Sequence, residues 1–95
     1  LRIVIKVKEI RGKCPVYSVG DKIVLDGPRI VKEESSEICV HALVPILHFY
    51  LALREGVSPE KIGIGRGNKA YISCPDPGKY TGGGNVIFEL EGEEL

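Results

Sequence analysis

From Ile38 to Leu53 the chain runs sixteen residues without a charged side chain, the longest such stretch in the sequence. A membrane span needs about 20 predominantly apolar residues. This run is shorter and contains His41, Pro45 and His48, so it reads as a helix of a protein core. Ser35-Ser36-Glu37 supplies a start signal, a hydroxyl cap followed by an acid in the first turn. Arg54 falls in the last turn and Gly56 stops the helix. The expected helix spans Glu37 to Glu55, with Cys39, Leu43, Ile46, Tyr50 and Leu53 on its apolar face. Pro45 should kink or break it near residues 41–45, because proline removes one backbone donor and crowds the carbonyl of residue 41.

Around that helix the pattern is of strands. Leu1 to Ile10 alternates Ile3, Ile5 and Val7 with Val4, Lys6 and Lys8. Lys22 to Leu25 is a second strand, ended by Asp26-Gly27-Pro28, and Arg29 to Lys32 a marginal third. Ser58-Pro59-Glu60 can open one helical turn, and Ile62 to Asn68 reads as a glycine-rich loop. Lys69 to Cys74 is a strand, Thr81 to Asn85 a hairpin tip, and Val86 to Glu91 the last strand. The expected fold is a single α+β domain over residues 1–95. Four or five strands form an antiparallel-rich sheet, with one long apolar helix packed on one face.

The formal charge is zero, which argues against a nucleic-acid partner, since phosphate binding draws on excess Lys and Arg. Residues 1–32 nevertheless hold eight basic and three acidic side chains, and residues 33–95 five basic and ten acidic. Pairing of a basic first strand with an acidic last one accounts for this. Val4, Lys6 and Lys8 match Ile87, Glu89 and Glu91 in order if the two strands run parallel. The first residues lack a continuous apolar signal region. With three cysteines, an odd number, a cytoplasmic protein without a disulfide framework is expected.

The cysteines carry the chemistry. Cys14 precedes Pro15 in the first loop, Cys39 opens the helix, and Cys74 precedes Pro75 at the end of a strand. A proline after the sulfur stiffens the backbone and suits a thiolate presented from a loop to a metal. No CxxC pair is present, and buried cysteines also serve as small core hydrophobes. Both readings stand: a shared metal or redox site, or structural cysteines. His41 and His48 lie two helical turns apart on a solvated stripe, and a distorted first turn would let His41 join Cys39 at one ion. Gly63 to Lys69 offers backbone N–H groups and two cations, Arg66 and Lys69, to an anion, but lacks the Walker and dinucleotide patterns. Asp76 is a candidate acid or outer ligand, or part of a Pro-Asp-Pro-Gly turn. No GxSxG elbow is present, so the reading is against an enzyme acting alone.

Gly12 to Asp21 (GKCPVYSVGD), Cys39 to Gly56 (CVHALVPILHFYLALREG), Cys74 to Gly78 (CPDPG) and Val86 to Leu90 (VIFEL) resemble a family of small uncharacterised archaeal and anaerobic-bacterial proteins. The resemblance implies that Cys14, Cys39 and Cys74 are the positions that matter, and it assigns no reaction.

These readings lead to a small cytosolic accessory protein in which Cys14, Cys39 and Cys74 bind zinc or an iron–sulfur centre, or act as redox thiols. A fourth ligand would come from His41, Asp76, water or a partner chain. The rival is a non-catalytic interaction module whose sheet edge or helix binds another protein or a second copy, with no membrane association.

Overall fold

The alternation in the first strand sets the sheet: Ile3, Ile5 and Val7 all turn to one side and are almost wholly buried, while Lys6 and Lys8 face solvent. The computed structural model describes residues 2–93. It contains β1 (Arg2–Gly12), β2 (Lys22–Asp26), β3 (Arg29–Ile30), α1 (Val40–Arg54), β4 (Gly65–Arg66), β5 (Lys69–Ser73) and β6 (Gly84–Glu93). One 3₁₀ turn, Lys32–Glu34, precedes the helix. The strands form one antiparallel sheet in the order β3-β2-β1-β6-β5-β4.

The architecture is α+β, a sheet with one helix on one face, and it has six strands where four or five were expected. The sixth is β4, two residues from the stretch read as a loop, paired with Ala70 and Lys69 of β5. Gly65 makes this pairing feasible, because a Cβ there would strike the carbonyl of Lys69 and the side chain of Pro59. The expected third strand is cut to Arg29–Ile30, since Lys32–Glu34 winds into the 3₁₀ turn. Leu1, included in the expected first strand, lies outside the described residues.

The first and last strands lie side by side, but antiparallel rather than parallel. Lys6 faces Glu89, Val4 faces Glu91 and Arg2 faces Glu93, with a register shift between Val7 and Glu9. Val86, Phe88 and Leu90 point to the same side as Ile3, Ile5 and Val7 and complete the core with Ile23, Leu25, Ala70 and Ile72. On the other face the Glu89 side chain, only 9% exposed, accepts a hydrogen bond from the Tyr71 hydroxyl at 3.0 Å. The same carboxylate lies 3.5 Å from Lys8 Nζ and 3.7 Å from Lys69 Nζ.

The helix is shorter than expected. It covers Val40–Arg54 rather than Glu37 to Glu55, and it buries Ala42, Ile46, Tyr50 and Leu53, with Leu43 and Cys39 half-buried. Its start is displaced because the two serines serve the sheet instead. Ser35 Oγ accepts the Val24 N–H at 2.9 Å and donates to the Val31 carbonyl at 2.7 Å. Ser36 Oγ accepts the Lys22 N–H at 3.2 Å, and its own N–H bonds the Lys22 carbonyl. These bonds close the outer edge of β2, and Cys39 becomes the N-cap with no side-chain cap bond. The helix runs unbroken through Pro45. The missing bond falls on the carbonyl of His41, an exposed first-turn residue where water can replace it. Tyr50 ties the helix back to the sheet, its hydroxyl donating to the Gly27 carbonyl at 2.7 Å. No described helix is long and apolar enough to cross a membrane.

Burial pushes the Glu89 carboxyl up, but the Tyr71 hydroxyl with Lys69 and Lys8 outweighs it and holds the group below its ordinary value. Ionised Glu89 therefore stabilises the fold above about pH 4.3, and this contribution is lost as pH falls through the folded-state value. Glu89→Gln is expected to lower unfolding free energy by about 1–3 kcal/mol at pH 7. Urea titrations from pH 7 to pH 3 should show the wild type losing more stability than the variant as the acid limb is entered.

Candidate functional site

The three cysteines come from three separate segments and meet around one cavity of about 590 Å³ at the start of α1. Cys14 lies in the loop after β1, Cys39 caps the helix, and Cys74 directly follows β5. All three are half-buried free thiols. Tyr17, Ala42, Val86 and Phe88 supply apolar wall, and His41 and Asp76 also line the space. A cavity of this size, mostly apolar with a few convergent polar groups, is what a small-ligand site requires.

Each sulfur has a distinct setting. Cys14 Sγ accepts the backbone N–H groups of Val16 and Tyr17, both at 3.4 Å. Pro15 has no N–H to offer, so the next two backbone donors are the ones that reach the sulfur. Cys74 Sγ accepts the Val86 N–H at 3.3 Å and lies within donating distance of the Gly84 carbonyl at 3.6 Å. Cys39 stands where the first helical N–H groups lack partners within the helix.

Tyr17 and Gly84, which sequence reasoning passed over, hold the arrangement together. The buried Tyr17 ring meets Phe88 edge-on at 5.8 Å, and its hydroxyl accepts the Cys39 N–H at 2.9 Å. The tyrosine thus spans from the Cys14 loop to the helix start. Burial raises its pKa, outweighing the lowering effect of the Cys39 N–H bond. Gly84 is buried, and a Cβ there would sit 2.6 Å from the Lys13 carbonyl oxygen and 2.7 Å from the Cys14 nitrogen. The Cys14 segment can approach β6 only because that position has no side chain. The one available signal was three glycines directly before a strand, a place where close backbone approach is common.

Asp76 is engaged elsewhere. Its Oδ1 accepts the Thr81 hydroxyl and the Gly78 N–H, the latter at 2.7 Å, and Asn85 Nδ2 donates to its backbone carbonyl at 2.8 Å. The Thr81 and Gly78 bonds, with the charge of His41, hold its carboxyl below the ordinary value. Asp76 is foremost the clasp of the turn after Cys74. His48 does not reach the cavity and lines a separate groove with Pro75. The two cations of the glycine-rich anion candidate are brought opposite each other, Arg66 facing Lys69 across the β4–β5 hairpin, but Lys69 pairs with Glu89. Among the described residues, no three His, Cys, Asp or Glu side chains stand close enough together to hold a metal ion as placed.

No protein-family model matches the chain, and no curated protein or solved structure is significantly similar to it.

Tyr17→Phe keeps the ring and removes the acceptor for the Cys39 N–H. It is expected to cost about 1–2 kcal/mol in denaturant unfolding and to speed hydrogen exchange at the Cys39 amide, measured by NMR. Exchange at β1 core amides should retain its rank order.

Proposed function

We propose that this chain is a small cysteine-based metal-binding accessory protein, in which Cys14, Cys39 and Cys74 take up a soft ion such as zinc or the iron of an iron–sulfur centre. The observation that carries the reading is the convergence of three free thiols, from three separate chain segments, on one cavity. Three further features support it. Two N–H groups bond Cys14 Sγ and one bonds Cys74 Sγ, and Cys39 lies at a helix N-terminus. These contacts hold the three cysteine segments at the cavity, and cysteine sulfur is a principal ligand of zinc. The resemblance of the Cys14, Cys39 and Cys74 motifs to a small-protein family points to the same positions.

The donors are not arranged as a ready-made trio. Uptake therefore requires the three sulfurs to come closer together than the structure places them. Zinc takes four ligands, and His41 suits the fourth place better than Asp76, whose carboxylate is bonded to Thr81 and Gly78. A dithiol that cycles with an external disulfide is the alternative use of the same cavity; two thiols would give two electrons and two protons to that disulfide and join in one S–S bond.

Protein purified anaerobically without a metal-affinity tag tests the reading. Near-stoichiometric metal, protected thiols, and loss of metal from each of Cys14→Ser, Cys39→Ser and Cys74→Ser are expected. Metal-free protein with three freely titrating thiols, which also fails to bind added zinc, would overturn it.

A further inference from the structure

The helix has a second apolar face. Val40, Val44, Leu47 and Leu51 are 70%, 72%, 50% and 57% exposed, although the side opposite them is in the core. Their spacing of four, three and four residues places them on one stripe within about 60° of arc, at 100° per residue. This is the seam pattern of packed helices. No charged side chain occurs from Ile38 to Leu53, so charge is absent from the stripe, as it is from the centres of interfaces. A groove of about 620 Å³ between Val44 and Leu47 of the helix and Pro75 beyond β5 adjoins it. The sheet edges offer no comparable surface: β3 and β4 are two residues each, and Ser35 and Ser36 close the rest of β2.

We propose that α1 is the contact helix of a two-fold homodimer, its stripe lying antiparallel against the same stripe of a second copy. Self-complementarity selects this occupant. With the two-fold axis between Val44 and Leu47, Val44 faces Leu47 of the second copy and Val40 faces its Leu51. Each small side chain therefore meets a larger one, as interdigitating layers require. The same arrangement brings Glu37, exposed just ahead of the helix, toward the end of the second copy's helix, where Arg54 pairs with Glu55 and lies over Tyr50. The two helix dipoles oppose, which favours antiparallel packing. The four side chains expose roughly 400 Å² per copy, so complete burial of the stripe removes about 800 Å² in all, the size of a weak contact. The proposal does not rest on metal uptake: none of Cys14, Cys39 and Cys74 belongs to the stripe, although Val40 also lines the cysteine cavity.

Sedimentation velocity and light scattering over roughly 5 µM to 1 mM protein provide the test. The wild type is expected to pass from monomer to dimer within this range, as a small interface requires. Val44→Lys should raise the dissociation constant at least tenfold with unchanged far-UV circular dichroism and melting temperature, because its side chain is exposed. Leu47→Gln provides a milder second variant should the lysine disturb the fold. Glu37→Arg and Arg54→Glu should each weaken the dimer, and the double exchange should restore it. A wild type that stays monomeric over the whole range, including one that captures a different protein, would overturn the proposal. A dimer that neither Val44→Lys nor Leu47→Gln weakens would do the same, and a double exchange that restores nothing would sink the antiparallel register.

Discussion

The pairing of β1 with β6 is the constraint on which the rest of the fold rests. These are the two longest strands, one near each end of the described chain, and every other strand is added outward from them. The helix core residues Ala42, Ile46, Tyr50 and Leu53 pack on the side where their apolar residues lie. Bringing such distant segments together carries a loop-closure cost that grows only slowly with length, so a long intervening chain is tolerable once the strands match. Alternation does most of the matching, because a slip of one residue would turn Ile3, Ile5 and Val7 out of the core. The ion pairs on the opposite face help choose the register, each contributing about 0.2–1 kcal/mol.

How far this was legible in the sequence depends on what each signal encodes. The alternation of Ile3, Ile5 and Val7 and of Val86, Phe88 and Leu90 marked both strands and their buried faces. It did not encode direction. Lys6 meets Glu89 in the parallel match and in the observed antiparallel one alike, so charge complementarity could not distinguish them. The two-residue strands β3 and β4 are too short to show any periodicity. Ser35 and Ser36 carry a side-chain acceptor equally suited to a helix cap or a strand edge, and tertiary context chose the edge.

At the site, residue type was informative and position was not. Cys14, Cys39 and Cys74 could be singled out as chemically distinctive, and they line one cavity. The means of convergence was hidden: a tyrosine hydroxyl 22 positions from the amide it receives, and a glycine whose importance lies in the backbone it lets through. The tyrosine contact leaves no local pattern, and the glycine leaves only the run Gly82 to Gly84. Asp76 shows the converse, since a carboxylate two residues from a cysteine looks like a ligand until its bonds to Gly78 and Thr81 are known.

Pro45 has a consequence for access to the thiols. The first turn of α1 has no side-chain cap, and the carbonyl of His41 receives no bond from residue 45. This turn forms a wall of the cysteine cavity, and its own backbone holds it less firmly than the later turns. Proteins open piecewise, and segments with few internal hydrogen bonds open at a fraction of the global free energy. What holds this turn is tertiary: Ala42 is buried in the core and the Tyr17 hydroxyl accepts the Cys39 N–H, while Tyr50 seats the later turns on the sheet. Pro45 thus leaves the turn that walls the cysteine cavity with one backbone bond fewer than the turns that follow it.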